Sequence, residues 1–347
     1  MKDNAWWTEV SGPSRFIRAA AESAAAQKSC ILVMPKEIPF EEEFFEILRN
    51  RVETELGGQE TVILGDIAGQ VSDYFLNTYC RRELRASFRP KPGYSASRFL
   101  AEASSSVMHG RGFIVRTESE NAEELSGWTS FVSEYASFVS RNIAPAVFML
   151  TVQADEKPKV TKGIRVIDYR DYSSPFDTYA YCAIQAAGIC EPSIIKTYLA
   201  ELASGITGGN AEQAETAIYI YREFLEDPVS FAKKHYGKGD DDEEALKRKV
   251  WEAQLKCIFP YLEQYRCSFV EKYEELITKQ LPLSNPLGDD YVTASDVELG
   301  ALLFMTYSGM FRVPHDEYER LKLMATARNN LAHLNVLPIA TVREIVG

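Results

Sequence analysis

The chain has 347 residues, of which 46% are hydrophobic, 12% aromatic and 25% charged. That composition excludes a disordered polymer and leaves room for one large or two ordinary domains. Its 50 Asp and Glu outweigh 38 Lys and Arg, giving a formal charge of −12, so a global electrostatic grip on nucleic acid or anionic membrane is excluded and phosphate contact needs a local patch. No apolar run reaches the roughly 18–20 residues of a membrane span. The opening Met1-Lys2-Asp3-Asn4 leads into no apolar signal core. Six cysteines (Cys30, Cys80, Cys182, Cys190, Cys257, Cys267) show neither CxxC nor a histidine at zinc spacing. The expectation is a soluble, cytoplasmic protein with no membrane partner, no metal and no cofactor.

Residues 30–35, 61–67, 112–117, 146–152 and 164–169 are short runs rich in Val, Ile and Phe, the texture of strands buried on both faces. Helix patterns over 39–53, 71–84 and 121–141 lie between them. The first has Pro39 at its opening position, and Asn121 with Glu124 forms a capping box for the third. Strands alternating with helices predict an α/β domain with a parallel sheet over residues 1–190. Beyond Gly188 the strands stop. Residues 192–204, 211–226, 228–236, 243–279, 296–307 and 316–332 read as helices, the fourth bent at Pro260. The organisation expected is an α/β domain over 1–190, a helical extension with an acidic hinge over 191–240, and an all-α bundle over 241–347. The hinge is the tract Lys238 to Glu244, whose carboxylates also suit a helix start. It lacks the glycine and glutamate spacing of a calcium loop.

A P-loop needs GxxxxGK[ST] after the first strand, so that backbone N–H groups and a lysine surround the phosphates. Here the turn reads Met34-Pro35-Lys36-Glu37-Ile38-Pro39-Phe40-Glu41-Glu42-Glu43. It has no glycine, and the three carboxylates Glu41, Glu42 and Glu43 of the following helix's first turn fill the niche a phosphate would take. The third strand ends Arg116-Thr117-Glu118 rather than in an Asp-Glu pair, so ATP hydrolysis is not expected. The order of elements, with the lead-in from Trp6 to Ile17, nevertheless resembles an inactivated STAND or AAA-like P-loop ATPase core without its Walker motifs. A generic Rossmann-like sensing domain fits the same pattern, and such a domain implies a nucleotide signal or a protein partner.

Arg81, Arg82, Arg85, Arg89, Lys91 and Arg98 cluster against Glu83 alone, interleaved with Phe88, Tyr94 and Phe99. One reading is a phosphate-binding strip for RNA or a nucleotide. The other is a basic helix end that satisfies its own carbonyls.

Of four histidines, His109, His235 and His315 sit in ordinary contexts. His333 closes Arg328-Asn329-Asn330-Leu331-Ala332-His333. On a helical wheel, Leu321, Leu323, Met324, Ala325, Ala327, Leu331 and Ala332 form an apolar arc that includes Arg328. Asn329 lies four residues before His333, placed to orient its imidazole. An arginine on an apolar arc requires a carboxylate such as Glu274, Glu275, Asp296 or Glu298, or a second subunit. His333 itself could simply cap its helix.

This R-N-x-x-x-H pattern, near the end of the last long helix of an all-helical unit, resembles the signature of HEPN-domain ribonucleases. The resemblance implies RNA cleavage without metal, by attack of a ribose 2′-OH on the adjacent phosphate. It assigns His333 to general acid–base work, Arg328 to the phosphorane oxygens and Asn329 to orienting both. It also implies a homodimer or a HEPN-bearing partner, since one chain carries one motif, and a setting in bacterial conflict or antiphage defence. DNA, lacking the 2′-OH, would not be cut. The rival from another class is a non-catalytic assembly or regulatory subunit using both domains for protein interaction.

Overall fold

The computed structural model of the chain describes residues 5–65, 67, 69–103, 106–117, 122–154, 158–159, 162–284 and 290–347. They form two compact units, Met1–Asp177 and Thr178–Gly347.

The first unit begins with α1 (Ala5–Thr8) and α2 (Ser11–Ala25) and enters the sheet at β1 (Cys30–Met34). The chain continues through α3 (Glu41–Glu55), β2 (Thr61–Leu64), α4 (Val71–Thr78), α5 (Arg82–Arg85), α6 (Ala96–Glu102), β3 (Gly112–Arg116), α7 (Ala122–Phe138), β4 (Val147–Gln153) and β5 (Arg165–Asp168). The five strands run parallel in the order β2-β3-β4-β1-β5. All five residues of β1 are buried, as a parallel strand covered on both faces requires. Ile31 and Val33 point into a core shared with Phe75, Phe113, Trp128, Phe131 and Phe148. On α2 and α3, Phe16 stacks on Phe44 at 6.3 Å, and Trp7 lies 4.8 Å from the same ring. Gly12 at the start of α2 is dictated by space: a Cβ there would stand 2.4 Å from an Asp177 carboxylate oxygen and 2.7 Å from the Tyr172 carbonyl.

The chain leaving β1 returns through α3 to β2, whereas the chain leaving β4 passes on to β5 at the opposite edge. Such a change of direction opens a crevice at the carboxyl ends of the strands, where α/β sheets receive ligands. The α/β fold class holds for this unit. The helix expected over 71–84 is instead α4 and α5, interrupted where Tyr79 turns onto Phe75 and Phe113 at 5.3 and 5.0 Å. Asn121 and Glu118 lie outside the described residues.

The second unit opens with α8 (Asp177–Ala187), α9 (Ser193–Thr207), α10 (Ala211–Tyr219), α11 (Tyr221–Glu226) and α12 (Pro228–Tyr236). It continues through α13 (Glu243–Cys257) and α14 (Phe259–Thr278), a small hairpin of β6 (Leu283–Ser284) and β7 (Asp290–Tyr291), then α15 (Leu299–Tyr307), α16 (His315–Ala332) and α17 (Ile339–Val346). Pro260 falls in the first turn of α14, so the bend expected there is a break between two helices.

Two expectations about organisation are corrected. The boundary lies at Asp177 rather than 190, because Cys182 and Ala186 of α8 belong to one core with Ile195 and Leu199. Residues 191–240 are no separate extension either: Ala214, Phe224 and Phe231 share that core with Leu246, Leu262, Leu302 and Leu331. The acidic tract expected as a hinge is held by local contacts. Lys233 holds Asp240 at 2.8 Å and Glu243 at 2.7 Å, and the Asp242 carboxylate accepts the Gly239 N–H at 2.9 Å.

Candidate functional site

Pro314, extended at φ −53° and ψ 151°, starts α16, and Asp316 and Glu317 occupy its first turn, where carboxylates complement the helix dipole. Leu321, Met324, Ala325, Ala327 and Leu331 are its buried residues; of the rest of the expected arc, Leu323 is half-buried and Ala332, in the last turn, is exposed. Arg328 sits at the edge of that arc, with 27% of its side chain exposed. Its Nη2 donates to Oε2 of Glu298 at 3.2 Å. Glu298 is the N-cap residue of α15, yet its side chain caps nothing and reaches across to α16. The pair has a single prong, is longer than the roughly 2.7–2.9 Å of a strong charge-assisted bond, and has a carboxylate that is 56% exposed. Such a pair contributes below about 1 kcal/mol, and the guanidinium keeps further N–H groups for another anion. Tyr291 borders it: burial and then the Glu298 carboxylate push its phenol upward, against the pull of Arg328.

His333 is the exposed C-cap of α16. Its N–H reaches the carbonyls of Asn329 and Asn330, both at 3.1 Å. The chain then closes a full Schellman turn, with Asn335 N–H on the Asn330 carbonyl at 2.9 Å and Leu334 N–H on the Leu331 carbonyl at 3.3 Å. The residue in the left-handed position, where glycine is usual, is Leu334 at φ 62°. The expected side-chain bond from Asn329 to the imidazole does not form among the described residues. At φ −100° and ψ 23° His333 has left the helical row that makes positions four apart meet. Asn329 serves through its backbone carbonyl.

The turn is pinned from α13. Trp251 Nε1 donates to the Leu331 carbonyl at 2.8 Å. Gln254, only 1% exposed, grips Leu337 twice: its Nε2 donates to the carbonyl at 2.7 Å and its Oε1 accepts the N–H at 2.8 Å. Neither residue was expected from the sequence. The available signal was Gln254 lying on the stripe Leu246, Val250, Ala253, Cys257, since an amide on an apolar face needs a partner. A groove of about 1110 Å³ runs beside the turn, lined by α13 and by residues 334–339.

Chemically, α16 offers an exposed imidazole on a fixed post and a half-open guanidinium. They lie five positions apart, Arg328 within α16 and His333 at its C-cap.

The basic strip is largely committed to its own backbone. Arg85 donates to the Asn77 carbonyl and Oδ1, both at 3.0 Å, and Arg89 to the Ala86 and Phe88 carbonyls, both at 2.8 Å. Arg98 holds Glu102 at 2.8 Å and stacks on Phe138 at 4.3 Å. Arg81 and Arg82 are exposed and have no ion pair among the described residues.

Glu41, Glu42 and Glu43 fill the first turn of α3, with no side-chain cap bond at its start. Arg116, at the carboxyl end of β3, binds both oxygens of Glu42 at 3.1 Å and lies 3.9 Å from the Phe45 ring. That hydrogen-bonded guanidinium holds the Glu42 carboxyl below its usual range.

Of the remaining histidines, His235 stacks on Phe231 at 4.2 Å, His315 opens α16, and burial pushes His109 below its ordinary value. Among the described residues no cluster of His, Cys, Asp and Glu fits a metal ion, and no helix is long and apolar enough to cross a membrane. The chain matches no protein-family model and no curated protein.

Proposed function

We propose that the chain is an endoribonuclease of the metal-independent HEPN kind, acting in a bacterial conflict or antiphage defence system. Two copies, or one copy and a HEPN-bearing partner, bring two R-N-x-x-x-H motifs to one cleft. One His333 takes the proton of the ribose 2′-OH as its oxygen attacks phosphorus. The partner's equivalent histidine protonates the departing 5′-oxygen, and Arg328 neutralises the phosphorane oxygens. The products are a 2′,3′-cyclic phosphate and a 5′-hydroxyl. The observation that carries this reading is the pairing of an exposed imidazole, on a helix end pinned by Trp251 and Gln254, with a guanidinium held by one weak prong.

The N-terminal unit, in this reading, is a regulatory domain resembling a P-loop ATPase core that has lost its phosphate loop. It receives a nucleotide signal or a protein partner and does not turn over ATP. Glu42 on Arg116, at the head of α3, supports that assignment.

The Arg328–Glu298 pair favours a second reading, in which the motif is structural and the protein is a non-catalytic assembly subunit. End-group chemistry separates the two. In EDTA, the wild-type dimer should cut labelled single-stranded RNA to 2′,3′-cyclic phosphate ends and leave DNA of the same sequence intact. Ends bearing 3′-hydroxyls, or equal cutting of DNA, would contradict the mechanism.

A further inference from the structure

We propose that the groove beside His333 is a subsite for bases of single-stranded RNA flanking the cut, an inference that rests on the ribonuclease reading. Four observations converge on it. The groove's wall at 334–338 is the chain directly following His333, although His333 itself does not line it. Its volume of about 1110 Å³ is at the scale of pockets that enclose a small organic ligand, roughly 300–1,000 Å³. Trp251 lines it, with Nε1 fixed on the Leu331 carbonyl so that the indole is held in one orientation, as a stacking platform needs.

Leu334 supplies the fourth. A non-glycine residue at φ 62° is strained, and this one is also a large apolar side chain left 68% exposed. The Schellman turn sets the left-handed backbone at that position, and packing within the chain leaves the large apolar side chain uncovered. With Val336, 40% exposed, it puts apolar surface on the groove wall.

The charges point to bases rather than phosphates. The lining carries Lys247 and Arg248 together with Glu226, Asp227 and Glu244. Asp227 is committed to capping α12 through Ser230, at 3.0 and 2.6 Å, and Glu244 to Lys247 at 3.2 Å. With two cations against three carboxylates the lining offers phosphate no net attraction, so binding is carried by stacking and has a shallow salt dependence. A base subsite is also indifferent to the 2′-OH. Single-stranded DNA of the substrate's sequence therefore occupies it without being cut.

The probe is a short deoxyoligonucleotide titrated into the full chain, read by tryptophan fluorescence. Trp6, Trp7 and Trp128 are 4%, 1% and 1% exposed, so quenching reports Trp251. The expected result is quenching that Trp251→Phe removes. Leu334→Gly should weaken Kd about tenfold or more while its unfolding midpoint stays level or rises. Duplex DNA should not quench. If the wild type cleaves RNA but shows no quenching, or Leu334→Gly leaves Kd unchanged, the subsite is overturned and the ribonuclease stands. If the oligonucleotide quenches and Leu334→Gly weakens it, but RNA is never cut, the groove is upheld and the ribonuclease reading fails. A groove that takes an apolar peptide and not the oligonucleotide would also overturn the proposal.

Discussion

Arg328 is legible from the wheel as a charge on an apolar arc that demands a carboxylate. Which carboxylate is not legible, because Glu298 comes from another helix and meets Arg328 only through the packing of α15 on α16. His333 is recognisable by its motif, but its exit from the helical row is not, since a left-handed leucine carries no turn signature in sequence. Among the histidines His109 gives the clearest stability prediction. Burial lowers its folded-state value below the ordinary 6.5, so the unfolded chain binds more protons between the two values. Its contribution is therefore present above the ordinary value and is lost as pH falls through that window. Urea midpoints should drop between pH 7.5 and 5.5, and His109→Phe should flatten that slope.

At the scale of elements, proline and apolar periodicity make helices and strands legible in the sequence. Residues 228–236 were expected as a helix and form α12, and Pro260 divides the long helical stretch. Breaks at Tyr79 and Ile220 were missed, because aromatic packing across the fold sets at least the first, and no local glycine or proline announces either. The clamp of α13 on the chain after α16 is the arrangement on which the site depends. Gln254→Leu would leave the buried N–H and carbonyl of Leu337 unpartnered. It should cost about 3 kcal/mol of unfolding free energy and slow RNA cleavage more than it weakens RNA binding. Cleavage at the wild-type rate in a loosened protein would show that the turn's position is irrelevant to function.

At the scale of the whole molecule, the sequence separated an α/β half from a helical half but misplaced the join. Strands end near 169, and composition changes only after Gly188; the core, not composition, assigns α8 to the second unit. Residues 178–347 expressed alone should therefore unfold cooperatively, whereas 191–347, stripped of Cys182 and Ala186, should melt at lower temperature or bind hydrophobic dyes. Equal stability of the two fragments would place the boundary back at 190.

The central claim is that Arg328 and His333 are kept for chemistry and not for the fold. Its most direct measurement is the RNA cleavage rate of Arg328→Ala and His333→Ala beside the wild type, each with its unfolding free energy. Both variants should lose about a hundredfold or more in rate with stability changed by less than about 1 kcal/mol. Rates equal to the wild type, or an Arg328→Ala chain destabilised by about 3 kcal/mol or more, would contradict it.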